Sequence, residues 1–337
     1  MEERLAAGER RDYRPAAAAG MAALQRWYSP RTGRWRTTGW WNAANALTAV
    51  IGYTRYTGDQ TYRGVIETTF TRAQRRHRGF VNSFYDDNGW WALAWVAAYD
   101  LTGEPRYLAA AQTLFARNMN GWDDSCGGGL WWNEKRRYKN AITNEQFLTL
   151  AALLYQRSPG ERHYLDWALR TWAWIRGSGM IGPHGMVNDG LTAACVNNER
   201  TTWTYNQGVI LGGLAALHEI TQDAEYLRAA ESIADAALRG LTDEAGILAE
   251  PCESAGCNGD QTQFKGIFVR YLHEFLAHSG RPAYRAFLLA NADSVLDNAR
   301  SPAGQFGLRW AGPFDRADAS RQSSALEVLI AAAALTG

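Results

Sequence analysis

The sequence predicts an all-α fold, an (α/α)6 barrel whose long loops on one face form a substrate cleft. Three observations carry this. A short phrase recurs five times: YTGDQTY ending at Tyr62, LTGEPRY at Tyr107, RSPGERHY at Tyr164, ITQDAEY at Tyr226 and HSGRPAY at Tyr284. Each copy joins two apolar segments of helical period. The connections between successive pairs are long, polar and rich in aromatics.

Residues 42–52 and 62–75 flank the first copy, 90–101 and 107–116 the second, and 145–155 and 164–175 the third. Residues 208–220 and 226–238 flank the fourth, and 266–277 and 284–296 the fifth. The link in each copy carries Gly, Asp or Pro, which an αα-hairpin needs to reverse direction. The Tyr just past it is placed to pack back on the preceding helix. Adding 17–28 before these and 320–335 after them gives twelve helices. Antiparallel pairs in series must bury one face against their neighbours, and six pairs suffice to close a double ring.

Periodicity alone does not separate a closed ring from an open solenoid; the connections do. Segments 30–41, 77–90, 118–144, 179–207, 241–263 and 300–320 lead into alternate helices, whereas the links at the other end are a few residues long. Long structureless loops in a compact domain are mostly functional. Six of them at one end of a barrel make a cleft over its mouth.

A chain of 337 residues exceeds the usual domain size unless it builds one large closed architecture. The reading is therefore one barrel over 1–337, with 1–15 a poorly ordered or peripheral segment. Lys plus Arg total 35 against 34 for Asp plus Glu, a balance that excludes a nucleic-acid surface. Apolar runs reach only about ten residues, short of a membrane span. Residues 1–15 lack an apolar signal core, which leaves a cytoplasmic chain and a secreted chain with its signal removed both open. The four cysteines (126, 195, 252, 257) contain no C-x-x-C pair, and the histidines do not complete a ligand set, so no metal or other cofactor is expected. Cys252 and Cys257 bracket a short loop; a local disulfide and free thiols both remain open.

The chain has 15 Trp and 15 Tyr, many beside Gly, Asn and Asp. Flat rings among hydrogen-bonding groups suit a sugar; bulky filling of a helical core accounts for part of them. Only three of the 35 basic residues are lysines, Lys135, Lys139 and Lys265. Where Arg is the default, a retained Lys marks a place whose geometry refuses a guanidinium.

The pair Asp86-Asp87 in FYDDNGWW stands where a long loop meets a helix. Glycoside cleavage needs two carboxyls, and at such a junction neighbours can lie about 5 Å apart, the separation retaining enzymes use. A helix N-cap is the competing reading. Asp123-Asp124, ahead of three glycines, competes for the role, although that context favours an Asx-turn. Other junctions repeat the same chemistry: Gly39–Asn42, Lys139-Asn140 with Thr143-Asn144, Thr204–Gly208 and Gln263–Gly266. Each pairs amide, hydroxyl or ammonium groups with an aromatic, which describes a binding pocket.

The strings YDDNGWW (85–91), GGGLWW (127–132), KNAITN (139–144), TYNQG (204–208) and FKGIF (264–268) resemble, in order, glycoside hydrolase family 76. These are (α/α)6-barrel endo-α-1,6-mannanases and related fungal cell-wall transglycosidases. The resemblance implies a retaining mechanism, with Asp86 as nucleophile and Asp87 as acid/base, acting on an α-1,6-mannan of fungal or bacterial lipoglycan origin. Trp40, Trp41, Trp90, Trp131, Asp124, Asn144, Tyr205, Asn206, Gln207, Phe264 and Lys265 are expected to bind that glycan, and the chain is expected to act as a monomer. Three alternatives stand beside this. A transglycosidase would use the same residues. Another (α/α)6 sugar enzyme is possible on fold: an epimerase, for which only His184 is placed as a catalytic histidine, or an uronide hydrolase. A non-catalytic glycan-binding protein needs the aromatics but not the paired acids.

Overall fold

The computed structural model describes residues 11–337. Twelve helices run in sequence: α1 (Arg14–Gln25), α2 (Trp40–Thr57), α3 (Gly64–Ala73), α4 (Tyr85–Thr102), α5 (Pro105–Met119), α6 (Ala141–Arg157), α7 (Arg162–Gly177), α8 (Thr204–Thr221), α9 (Ala224–Gly240), α10 (Phe264–Ser279), α11 (Pro282–Asn298) and α12 (Ala319–Thr336). The even-numbered helices pack each on the next, and α12 packs on α2, which closes an inner ring. The odd-numbered helices lie outside it. This is the (α/α)6 barrel that the five hairpins imply.

Burial follows position. Inner helices are enclosed on nearly every side, so α4 carries Trp90, Trp91, Leu93, Trp95 and Val96 all buried, and α12 is buried from Ala319 to Ala333. Outer α9 hides only Ala230, Ile233, Ala234, Ala236 and Ala237, the single stripe a surface helix needs. At the short-link end, Gly58, Gly103 and Gly280 close α2, α4 and α10 in the left-handed conformation that glycine adopts without strain. Three of the recurrent tyrosines pack back as expected, Tyr62 on Tyr53, Tyr107 on Trp95 and Tyr284 on Phe275. Tyr164 instead meets Phe115 of α5.

Two expectations are corrected. The first helix stops at Gln25, not Tyr28, because Tyr28–Ser29 (β1) pairs with Arg34–Trp35 (β2) in a small hairpin. Inner helices begin up to five residues earlier than the apolar pattern suggests, which draws Trp40, Trp41, Asp86, Asp87, Asn144, Tyr205, Asn206 and Gln207 into their first turns. Of the peripheral segment 1–15, residues 1–10 lie outside the described residues. The rest is fastened: Arg11 pairs with Asp293 and Asp297, and the buried Tyr13 donates to Asp293 at 2.9 Å.

All four cysteines are paired. Cys252–Cys257 staples the loop before α10. Cys126–Cys195 joins the α5–α6 loop to the α7–α8 loop, a link across 69 residues that spacing alone does not reveal.

Candidate active site

The long-loop end of the barrel holds a cleft of about 570 Å³. First turns of inner helices supply its floor: Trp41 from α2, Asp86 and Asp87 from α4, Tyr205 from α8 and Phe264 from α10. Loops supply its walls: Phe84, Trp132, Tyr138, Asn140, Asp189, Arg200, Trp203, Asn258, Asp260 and Gln261. The loop between α11 and α12 contributes nothing to the lining, so the cleft is built by five of the six expected junctions.

Four rings form a continuous aromatic floor. Tyr205 and Phe264 stack at 3.8 Å, Trp41 and Trp90 at 5.5 Å, and Trp90 faces Tyr205 at 6.4 Å. Trp90 is the buried underside, while Trp41, Tyr205 and Phe264 face the opening. The Trp41 indole donates to Asp260 Oδ1 at 2.8 Å, which fixes its ring plane.

A polar network sets the start of α4. Asn88 Oδ1 accepts from the Asn82 amide at 2.9 Å, Asn118 donates to the Tyr85 carbonyl at 2.8 Å, and the Tyr85 amide donates to the Trp132 carbonyl at 2.9 Å. Gln146, with its amide oriented to satisfy both neighbours, donates to the Asp86 carbonyl and accepts from the Trp90 indole, each at 3.0 Å. Upon this scaffold Asp86 Oδ2 accepts from Trp132 Nε1 at 2.9 Å, and Oδ1 accepts from the Asp87 amide at 3.0 Å. Asp87 Oδ2 accepts from Asn82 Nδ2 at 2.5 Å. The N-cap residue is Phe84, so neither acid serves as N-cap.

Burial, then the neighbouring Asp87 charge, pushes the Asp86 carboxyl well above the usual carboxylate range, with the Trp132 and Asp87 donors opposing. Burial likewise lifts Asp87 to about 6, against the Asn82 hydrogen bond and with help from Asp260. Two such acids do not both ionise easily in one enclosed site, the condition that lets one carry a proton near neutral pH.

The other expected binding residues divide sharply. Trp41, Tyr205 and Phe264 line the cleft. Trp40 does not: its ring is packed between His77 and Trp91 in the core. Trp131 turns away, donating to Asp123 at 2.6 Å under the Lys139 ammonium. Asp124 is almost fully solvent-exposed near Arg170. Asn144 and Gln207 are buried and spend their amides on loop backbone, at Leu130 and Val187 respectively. Asn206 is buried beneath the floor, without a hydrogen-bond partner for its side chain. Lys265 is buried with its ammonium on the Leu248 and Leu308 carbonyls and Glu253, over the Trp310 ring.

Lys139 makes a parallel arrangement. Its ammonium donates to the Ser125 and Gly128 carbonyls at 2.6 Å and to Asp123 Oδ1 at 2.9 Å. Asp123 Oδ1 also accepts from the Ser125 amide, the Asx-turn its context favoured. Although burial works against it, donors from Trp131 and Lys139 hold Asp123 down at about 2. Gly129 lies flat against the Trp174 ring with positive φ, where a Cβ would collide. Lys139 thus anchors the glycine-rich loop that presents Trp132.

Trp132, Tyr138, Asp189, Arg200, Trp203 and Asp260 went unread in the sequence. They come from loops whose course no periodicity dictates; nearby Gly and aromatic residues were the only signal.

A ring-shaped helical scaffold whose long-loop end holds an aromatic, carboxyl-lined cleft defines the class: an (α/α)6-barrel carbohydrate-active protein. The chain belongs to glycosyl hydrolase family 76, whose model matches residues 13–336. A Schizosaccharomyces pombe protein named putative mannan endo-1,6-alpha-mannosidase is 30% identical over 255 residues, covering 69% of this chain and 57% of that protein. The chain thus spans somewhat more than half the length of the first curated relatives it matches. A Listeria innocua protein superposes with TM-score 0.88 at 28% identity over 96% of this chain and 98% of the other. An inactive variant of an α-1,6-mannanase from Salegentibacter sp., with two consecutive aspartates replaced by alanine and α-1,6-mannotetrose bound, superposes with TM-score 0.88 at 26% identity over 96% of this chain and 99% of that one.

Proposed function

We propose that the chain is a retaining, endo-acting glycoside hydrolase that cleaves α-1,6-mannosidic bonds within a mannan backbone. The observation that carries this reading is the adjacent Asp86 and Asp87 in the first turn of α4, facing a cleft floored by Trp41, Tyr205 and Phe264. Two comparisons support it: curated relatives carry mannan endo-1,6-alpha-mannosidase names, and the Salegentibacter enzyme is inactive without a pair of consecutive aspartates.

The backbone lies over the aromatic floor, its ring faces on the indole and phenyl faces. A carboxylate oxygen of Asp86 bonds to the anomeric carbon while the bond to the departing O6 breaks and Asp87 gives that oxygen its proton. Asp87, now ionised, takes a proton from water; the water oxygen bonds to the anomeric carbon and Asp86 leaves, restoring the α configuration.

Hydrogen bonding supports the order of the two roles. Both Asp86 oxygens receive donors, which favour a carboxylate, whereas only one Asp87 oxygen does, leaving the other to hold a proton. Burial, together with the Asp87 charge, pushes Asp86 well above the usual carboxylate range and argues the reverse; the donors touch the reacting oxygens themselves, and we assign on them. Asp86→Asn and Asp87→Asn should each lower turnover of linear α-1,6-mannan on the order of a thousandfold, with unfolding midpoints unchanged. An activated leaving group should restore the first chemical step in Asp87→Asn alone. Near-wild-type release of reducing ends by either variant, or a β-configured first product by NMR, would overturn the reading.

A further inference from the structure

Beside the cleft, on the same face, lies a second hollow of about 350 Å³. Tyr138 and Arg200 line both spaces, so the two share a wall. The hollow's other polar groups are Arg137, Thr192 and Asn198, and no carboxyl lines it. The cleft next door is lined by four, Asp86, Asp87, Asp189 and Asp260. Carboxyls therefore line the cleft and, among the described residues, none lines the hollow; the Arg200 guanidinium stands between the two, and Arg137 belongs to the hollow alone.

Those guanidiniums are free. Nearby, Arg117 in the last turn of α5 is paired with Glu134, and Arg136 of the α5–α6 loop is held by Asp123 and the Asn120 carbonyl. Arg137 and Arg200 are exposed and, among the described residues, neither forms an ion pair or donates a side-chain hydrogen bond. Asp189 is the acid whose charge reaches Arg200, and its carboxylate is taken by the Tyr138 hydroxyl. The frame is nonetheless fixed. Asn198 donates to the Tyr138 oxygen at 2.9 Å and accepts from the Arg200 amide at 3.1 Å, tying the shared wall to the Arg200 backbone. Two forked donors with a neighbouring hydroxyl, and no carboxyl lining the hollow among the described residues, match an oxyanion.

We propose that this hollow is a subsite for an oxyanion, phosphate or carboxylate, borne on a branch of the glycan whose backbone occupies the cleft. It rests on the glycan-cleaving reading of that cleft and deepens it: the preferred substrate is a charged, branched chain, not a bare backbone.

The test titrates the full chain carrying Asp86→Asn and Asp87→Asn, which leaves the glycan intact, with three α-1,6-mannan oligosaccharides: neutral, phosphate-bearing and carboxylate-bearing. The expected result is about tenfold tighter binding of at least one charged ligand, lost as salt is raised. Arg137→Gln, a residue outside the cleft, should abolish that preference while leaving neutral-ligand affinity unchanged. Preference for only one charged ligand identifies the source of the anion. Equal affinity for all three, or a preference that survives Arg137→Gln, overturns the proposal. Hydrolysis of neutral mannan by the unsubstituted chain is scored separately. Its absence would sink the cleft reading, while an Arg137-dependent preference would still establish the anion subsite.

Discussion

The indole of Trp132 donates its N–H to Asp86 Oδ2 at 2.9 Å, from a side chain that is itself among the most solvent-exposed aromatics of the fold. Its ring meets Phe84 edge-on at 5.1 Å and lines the cleft. In the proposed function it has two duties, a platform for a sugar and a donor for the acid beneath.

Trp132→Phe keeps the platform and removes the donor. A hydrogen bond to the charged form lowers a carboxyl pKa, so losing it raises Asp86 further. If Asp86 must be ionised to attack, the acidic limb of the pH profile of kcat/KM moves to higher pH, and the optimum value falls about tenfold. An unmoved limb with a changed KM would mean that Trp132 only stacks.

Lys139 is one of three lysines among 35 basic residues, and the structure gives a reason. Its ammonium is enclosed by two carbonyls and Asp123, under the Trp131 ring at 4.8 Å, with the side chain 1% exposed. A point charge with three donors fits there, and a planar fork does not. Lys139→Met should cost about 2 kcal/mol, since it leaves the Ser125 and Gly128 carbonyls without their donor. Lys139→Arg should also destabilise, through overpacking. Denaturant melts of both variants check this; an Arg variant as stable as the original would show that the site is not selective.

Much of this was legible in the sequence. The hairpin phrase and its flanking apolar segments located twelve helices, because a helix buried on one side must repeat its apolar positions. Asp86 and Asp87 stand at a loop–helix junction where spacing alone leaves an N-cap reading open, and the family resemblance is what singles them out. Side-chain direction was not legible. Trp40 and Trp41 are neighbours, but successive helical residues diverge, so one fills the core and the other faces the cleft. Lys265, Asn144 and Gln207 were taken for binding groups because polar residues at a cleft mouth look alike, whether they hold ligand or loop backbone. Trp132, Asp189 and Asp260 depend on where loops cross, and that is decided by tertiary contacts such as Tyr138 with Asp189.

Two buried carboxyls make stability depend on pH. Burial raises Glu250 to about 8, against hydrogen bonds from Thr204 and the nearby Lys265, and raises Glu327 to about 7, against Arg270. Unfolded, both titrate near 4.3. Between that value and about 7 to 8 the folded chain holds more protons than the unfolded one, so stability falls as pH rises through the window. The unfolding free energy should be larger at pH 5 than at pH 8 by on the order of a few kcal/mol, read as a higher midpoint at pH 5. Glu250→Gln should flatten that slope; a midpoint that rises from pH 5 to pH 8 would contradict the assignment.

Cys126–Cys195 and the Tyr138–Asp189 contact both join the α5–α6 loop to the α7–α8 loop, yet they do different jobs. The disulfide lies outside the cleft lining, while Tyr138 and Asp189 are in it. Beside that contact, the Leu191 amide donates to the Lys139 carbonyl at 3.0 Å and the Ala141 amide to the Asp189 carbonyl at 2.9 Å, so the cleft walls are registered without the sulfurs. Closing a loop of 69 residues removes chain entropy worth about 4 kcal/mol from the unfolded state. Replacing both cysteines by serine should therefore lower the unfolding midpoint markedly but leave KM within about twofold. Tyr138→Phe should do the opposite: it frees the Asp189 carboxyl inside the cleft and raises KM, at a stability cost of about 1 kcal/mol. Measuring both parameters on both variants separates the clamp from the wall. If the cysteine variant lost affinity as Tyr138→Phe does, the disulfide would be holding the cleft in shape after all.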